Sequence, residues 1–228
     1  MVNREISVRR VSLTQVPMSG LAAAVTGLVV FGAVVLDVGW RLLRHGTVMA
    51  HEAAHAVVGS LLFRNVSGIE LNRDATGSTA MDGGGCLGSV VVSFVGYVGP
   101  SLFGLGAARL IQLGFIVGVL WVLLALLGIL LVGLSLSFGM ITVILVGGVV
   151  YLVGHDTPES AQVVAAYAVT WLLLLSGVRR VLEVGAASSD GARLAGLTFI
   201  PRVIWFLLWL AATLAAVAVG GSMLVMRH

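Results

Sequence analysis

From Ile111 to Gly154 the chain carries no charged side chain. A bilayer crossing takes about 20 residues, so this stretch is too long for one helix and reads as two, hinged near Gly133–Ser137. It divides into Ile111–Val132 and Leu134–Gly154. Comparable apolar runs recur at Leu21–Val38, Thr47–Phe63, Leu87–Ala108, Ala161–Val178 and Val203–Met226. The expected fold class is an all-α polytopic membrane protein with about six to seven transmembrane helices. Composition agrees: 59% of the 228 residues are hydrophobic and 10% charged, too little charge to cover a water-soluble domain of this length. No tandem repeat or linker interrupts the pattern, so residues 1–228 are expected to form one membrane-embedded domain with a short N-terminal segment at 1–20.

The 13 basic residues are all arginine, and the formal charge is +3. Charge this sparse leaves no footprint for nucleic acid, and the lipid bilayer is the expected partner instead. Arg4, Arg9 and Arg10 precede the first apolar run in the manner of a signal peptide. That run continues to Val38 without a small-residue cleavage site, so it is read as a retained span. With seven spans, Arg4, Arg9, Arg10, Arg64, Arg73, Arg179, Arg180, Arg193 and Arg202 fall on the N-terminal side. Arg41, Arg44, Arg109 and Arg227 fall opposite. This asymmetry predicts an integral protein of a bacterial plasma membrane with a cytoplasmic N-terminus. The single cysteine, Cys86, excludes an internal disulfide and a thiolate metal cluster.

Two loops are long enough to contribute to a site, and both are expected on the same side. In Arg64–Gly85, the segment VSGIELN alternates Ile69 and Leu71 with Glu70 and Asn72, and DATG follows; this predicts a short β-hairpin. In Arg179–Arg202, AASSDGARLAGL predicts a helix start capped by Ser188, Ser189 or Asp190.

The most demanding residues are His51-Glu52-Ala53-Ala54-His55. Residues four apart share a helix face, so both imidazoles can reach one ion, with Glu52 beside them as a base for water. Zinc suits two neutral imidazoles, a third ligand and an open position. Three polar groups in an apolar run cost several kcal/mol unless partnered, and a selected metal site accounts for that cost.

With this motif in view, the sequence resembles the site-2 protease family of intramembrane zinc metallopeptidases. The resemblance rests on HEAAH in a membrane span, on Gly99-Pro100 in YVGPSLFGLG of the next span, and on Asp190-Gly191 near a later one. The sequence departs from the family pattern at Phe103 and Ser189. The resemblance implies Zn2+ held by His51, His55 and Asp190, and Glu52 as general base. It also implies hydrolysis of a peptide bond in a transmembrane or membrane-proximal protein or peptide substrate. Glu70 and Asp74 form an alternative source of the third ligand, while His155, Asp156 and Glu159 read as an interhelical turn. Candidate substrate contacts are Ile69 and Leu71 on the hairpin edge and Gly99 and Pro100 on the following helix. Two other readings stay open: a membrane protein that binds or transports metal, and an inactive protease-like scaffold. The oligomeric state is open as well.

Overall fold

The computed structural model describes residues 15–83, 85–134 and 138–226. The N-terminal arginines Arg4, Arg9 and Arg10, part of the Gly133–Ser137 hinge, and Arg227 lie outside the described residues. Helix α1 (Gly20–Val35) starts at Ser19, whose hydroxyl accepts from the Ala22 amide at 3.3 Å. Helix α2 (Asp37–Leu61) follows after the single extended residue Leu36, and the two helices are bent by 96°. The corner needs Gly39, because a Cβ there would collide with the Ala33 carbonyl oxygen. Residues 39–46, expected as a polar loop, are therefore the opening turns of α2. Their polarity is accommodated locally and by a distant helix: Arg41 Nε donates to its own helix at Asp37 O, 3.3 Å. Trp40 Nε1 donates to Glu183 Oε1 at 3.2 Å.

The expected hairpin is present. Strand β1 (Asn65–Leu71) pairs antiparallel with β2 (Gly77–Asp82), placing Ile69 opposite Thr79 and Leu71 opposite Gly77. Its turn is closed by Asn72 N donating to Thr76 O at 2.8 Å and by the Thr76 amide and hydroxyl donating to Asp74 Oδ1 at 3.1 and 2.7 Å. These bonds hold the exposed Asp74 carboxyl below its ordinary range. Beyond the hairpin come α3 (Cys86–Gln112), α4 (Gly118–Gly133), α5 (Phe138–Asp156) and α6 (Glu159–Val184). A 3-10 turn at Gly185–Ala187 leads into the short α7 (Ser189–Thr198), and α8 (Arg202–Val225) ends the fold.

The apolar runs fall mainly on helices, although Leu21–Val38 crosses the α1–α2 corner and Ile111–Val132 begins in the last turn of α3, and the all-α polytopic class holds. Among the described residues, α3, α5, α6 and α8 are each long and apolar enough to cross a membrane, and the bent α1–α2 pair passes only as a unit, giving four crossings or up to five in place of the six to seven expected from the sequence. α4 has 16 residues. At 1.5 Å per residue it reaches about 24 Å, short of a hydrocarbon layer about 30 Å thick. Arg41, Arg44, Glu52 and three histidines make α2 too polar to cross alone.

Helix α3 is central, packing on α2, α6 and α8. Small residues permit this. A Cβ on Gly99 would overlap the Ala54 methyl, one on Gly104 would come 2.7 Å from the Leu174 amide nitrogen, and one on Gly177 would strike the Ser101 hydroxyl. Ser101 Oγ in turn donates to Leu174 O at 3.0 Å. Three apolar clusters result. One joins α1, α3, α4, α6 and α8 around Tyr167 and Leu174; one joins α2, the hairpin, α4 and α5; the third surrounds Trp209 between α3, α6, α7 and α8. The outer surface is apolar too, with Ile141, Leu145, Val149 and Leu152 of α5 exposed, as a lipid-facing helix requires.

The glycines supply a direct test of this packing. Gly104→Ala is expected to lower the melting temperature of the detergent-solubilised chain, by overpacking on the order of 1–3 kcal/mol. Gly106→Ala, where a Cβ meets nothing within 4 Å, is expected to leave stability unchanged or raise it by up to about 1 kcal/mol.

Candidate metal centre

His51, Glu52 and His55 lie in the second half of α2 and are buried to 9, 3 and 7% exposure. His55 Nδ1 faces the Val92 carbonyl of α3 at 2.9 Å. A carbonyl only accepts, so the proton is on Nδ1 and the His55 Nε2 carries a free lone pair. That Nε2 lies 3.0 Å from His51 Nε2. Asp190 Oδ2 completes the group, 3.3 Å from His51 Nε2 and 3.4 Å from His55 Nε2.

Asp190 arrives through the start of α7. Of the three residues expected to cap that helix, Ser188 does so, its hydroxyl accepting from the Gly191 amide at 3.0 Å. The Asp190 carboxylate is thereby left free to turn toward α2. Burial pushes that carboxyl upward, but His51 and His55, when protonated, outweigh it through hydrogen bonds and charge and hold it well below the usual carboxylate range. The end of α7 is held near the start of α3, where the Cys86 thiol approaches Leu197 O at 3.9 Å.

These atoms fit a metal ion. With bonds of about 2.0–2.1 Å, the ligand atoms around a tetrahedral zinc lie about 3.3 Å apart. The three separations here, 3.0, 3.3 and 3.4 Å, bracket that value. Two facing imidazole nitrogens and a carboxylate oxygen supply more lone pairs than protons, which a cation resolves. Among the described residues, this is the group of histidine, cysteine and carboxylate side chains able to hold one.

The supporting contacts are unequal. His55 is fixed by Val92, whereas His51 Nδ1 is buried without a hydrogen-bond partner. The His51 ring instead stands edge-on to Tyr97, with centroids 4.6 Å apart. Tyr97 leans on Trp209 at 4.5 Å, and Trp209 Nε1 donates to Phe94 O at 2.8 Å. Behind both imidazoles is Gly96, where a Cβ would come 2.5 Å from His55 Nε2 and 2.7 Å from His51 Cε1. The third span thus needs glycine at this turn so that α3 can pass the imidazole pair.

Glu52 turns to β2. Its Oε2 accepts from the Thr79 hydroxyl at 2.6 Å, and a Cβ on Gly77 would crowd its Oε1 at 2.7 Å. A cavity of about 210 Å³ opens here, lined by the metal-binding group and Glu52, by Gly77–Thr79, and by Arg64, Ser93 and Arg193 among others.

The other candidates lie elsewhere. Ile69 and Leu71 of β1 are buried against α4 and α5, and it is β2 that lines the cavity. Gly99 forms the α3 contact with Ala54, and neither it nor the buried Pro100 lines the cavity. Glu70 is exposed on β1 and Asp74 sits in the hairpin turn, so neither joins the imidazoles. His155 and Asp156 pair with each other at 2.7 Å on an exposed junction of α5 and α6, next to Glu159. Thr79, Gly77, Arg64 and Arg193 gave no signal in the sequence as cavity residues, because their roles depend on strand register and on the docking of α7.

A family model described as Peptidase M50B-like matches residues 22–220. No curated protein and no solved structure matches the chain significantly.

Metal analysis of the purified full-length chain tests the centre. His55→Ala and Asp190→Ala are each expected to weaken zinc binding by more than the roughly 10–100-fold lost when only a supporting partner is removed. Gly96→Ala is expected to weaken it as well, by displacing the imidazoles, and Asp74→Asn to leave it intact. Undiminished zinc in Asp190→Ala would exclude the third ligand.

Proposed function

Because the chain belongs to the peptidase M50B-like family, a membrane metallopeptidase family that bears out the resemblance to site-2 proteases, we propose that it is an intramembrane zinc endopeptidase acting on transmembrane or membrane-proximal peptides. The observation that carries this reading is the convergence of Asp190 on His51 and His55, with Glu52 lining the same cavity. Zinc held by those three residues would supply a Lewis acid that polarises a peptide carbonyl and makes water more acidic. Glu52 takes a proton from the attacking water and passes it to the nitrogen of the departing amine. Thr79, donating to Oε2, leaves Oε1 facing Gly77 and fixes the carboxylate for that transfer. The Gly77–Thr79 side of β2 supports an extended substrate alongside the centre, since a helix would hide its carbonyls in internal hydrogen bonds.

The end of the molecule that carries the hairpin and α7 also carries Arg64, Arg73 and Arg193, which supports a cytoplasmic position for it in a bacterial plasma membrane; the residues before α1 lie with the opposite end of α3, where Gln15 N donates to Gly114 O at 3.1 Å. Cys86, exposed at the hairpin end, is a native reporter of orientation. A membrane-impermeant thiol reagent should leave it unlabelled in intact cells and label it in inverted vesicles; labelling from outside would reverse the orientation.

For the chemistry, the full chain loaded with zinc is incubated with a panel of single-span model peptides. Glu52→Gln is expected to retain zinc and lose cleavage by at least about a thousandfold, within the range of general acid–base contributions. Thr79→Val is expected to keep zinc and lose about tenfold, the value of one hydrogen bond to a charged group. Full cleavage by Glu52→Gln would exclude Glu52 as the base.

A further inference from the structure

Two guanidinium groups line the cavity beside the metal-binding group, and the hydrolytic chemistry uses neither. Arg64 directly precedes β1 and is buried to 8% exposure. Its Nη1 donates to Ser89 Oγ at 3.2 Å, its Nε is buried without a hydrogen-bond partner, and no carboxylate pairs with it among the described residues. Arg193, one turn beyond Asp190 on α7, is exposed and likewise forms no ion pair among the described residues. Burying a cation without a counter-charge is costly, and such groups ordinarily carry a paired anion. Arg180 shows the ordinary arrangement in this same protein, pairing with Glu183 at 2.9 Å.

The charge of the cavity points the same way. A dication held by His51, His55 and Asp190 cancels the charges of Asp190 and Glu52, and leaves both guanidiniums uncompensated. They face a space also lined by Gly77, Ser78 and Thr79, where an extended peptide would lie. Arginine offers a planar fork that matches a carboxylate with two parallel hydrogen bonds.

We infer that Arg64 and Arg193 form an anion subsite of the cavity that selects peptides bearing a carboxylate close to the bond presented to the metal. The carboxylate comes either from an acidic side chain or from a free C-terminus. This inference rests on the proteolytic reading for the identity of its ligand, a peptide.

Binding tests it without relying on turnover. The zinc-loaded full chain carrying Glu52→Gln, in a neutral detergent, is titrated by fluorescence anisotropy with labelled single-span peptides of one parent sequence. The parent is amidated and has glutamine in place of every acidic residue. One series restores glutamate singly along the peptide, and another restores only the C-terminal carboxylate. The expected result is that one acidic form binds about tenfold or more tighter than the parent, the value of a charge-assisted hydrogen bond. Which series shows the gain identifies the source of the carboxylate. Adding Arg64→Gln or Arg193→Gln is expected to remove most of that gain while zinc stays bound, and Arg64→Lys to keep part of it. Equal affinities for acidic and parent peptides would overturn the inference, as would a gain that persists in both glutamine variants. If Arg64→Gln fails to retain zinc, the exposed Arg193→Gln decides. A wild-type chain that binds acidic peptides through these arginines yet cleaves none would remove the proteolytic reading and leave the subsite standing.

Discussion

The meeting of Asp190 with the imidazole pair of α2 is the contact on which the rest of the arrangement depends. Histidine and carboxylate groups in an apolar bundle are tolerated only where they are partnered, and here the partners come from opposite parts of the chain. Helix α7 has to dock at the hairpin end, α3 has to pass close behind the imidazoles, and the 3-10 turn after α6 has to redirect the chain. Gly96, Ser188 and the Tyr97–Trp209 contact each serve that meeting. None of them belongs to the facing group, yet the position of its three converging atoms is set by all of them.

Much of this was legible in the sequence for reasons that are local. The HEAAH spacing carries its own geometry, because residues four apart share a helix face. The hairpin was legible through the alternation of VSGIELN and the turn chemistry of DATG, and the α7 cap through its serine and aspartate choices. Asp190 was legible only by resemblance, since nothing in SSDGARLA states what it approaches.

What the sequence concealed is set by distant pairing. The segment GWRLLRHG looks like a loop because it is polar, yet its tryptophan and the neighbouring Asp37 find partners on α6, at Glu183 and Arg179. Those partners let α2 start early and turn sharply from α1. Likewise, Ile69 and Leu71 looked like an edge available to a substrate, while the bundle uses them as core against α4 and α5. The strand beside Glu52 is β2, and only the register of the hairpin brings Thr79 there.

That register ties together two things that enzymes often control separately. Strand β2 is one wall of the cavity, and it is also the source of the hydroxyl that steadies Glu52. Any motion that swings the hairpin outward to admit a bulky chain withdraws Thr79 from the carboxylate in the same stroke. On the proteolytic reading, a wall swung open would leave Glu52 without the bond that aims it, and only a closed wall would restore that aim.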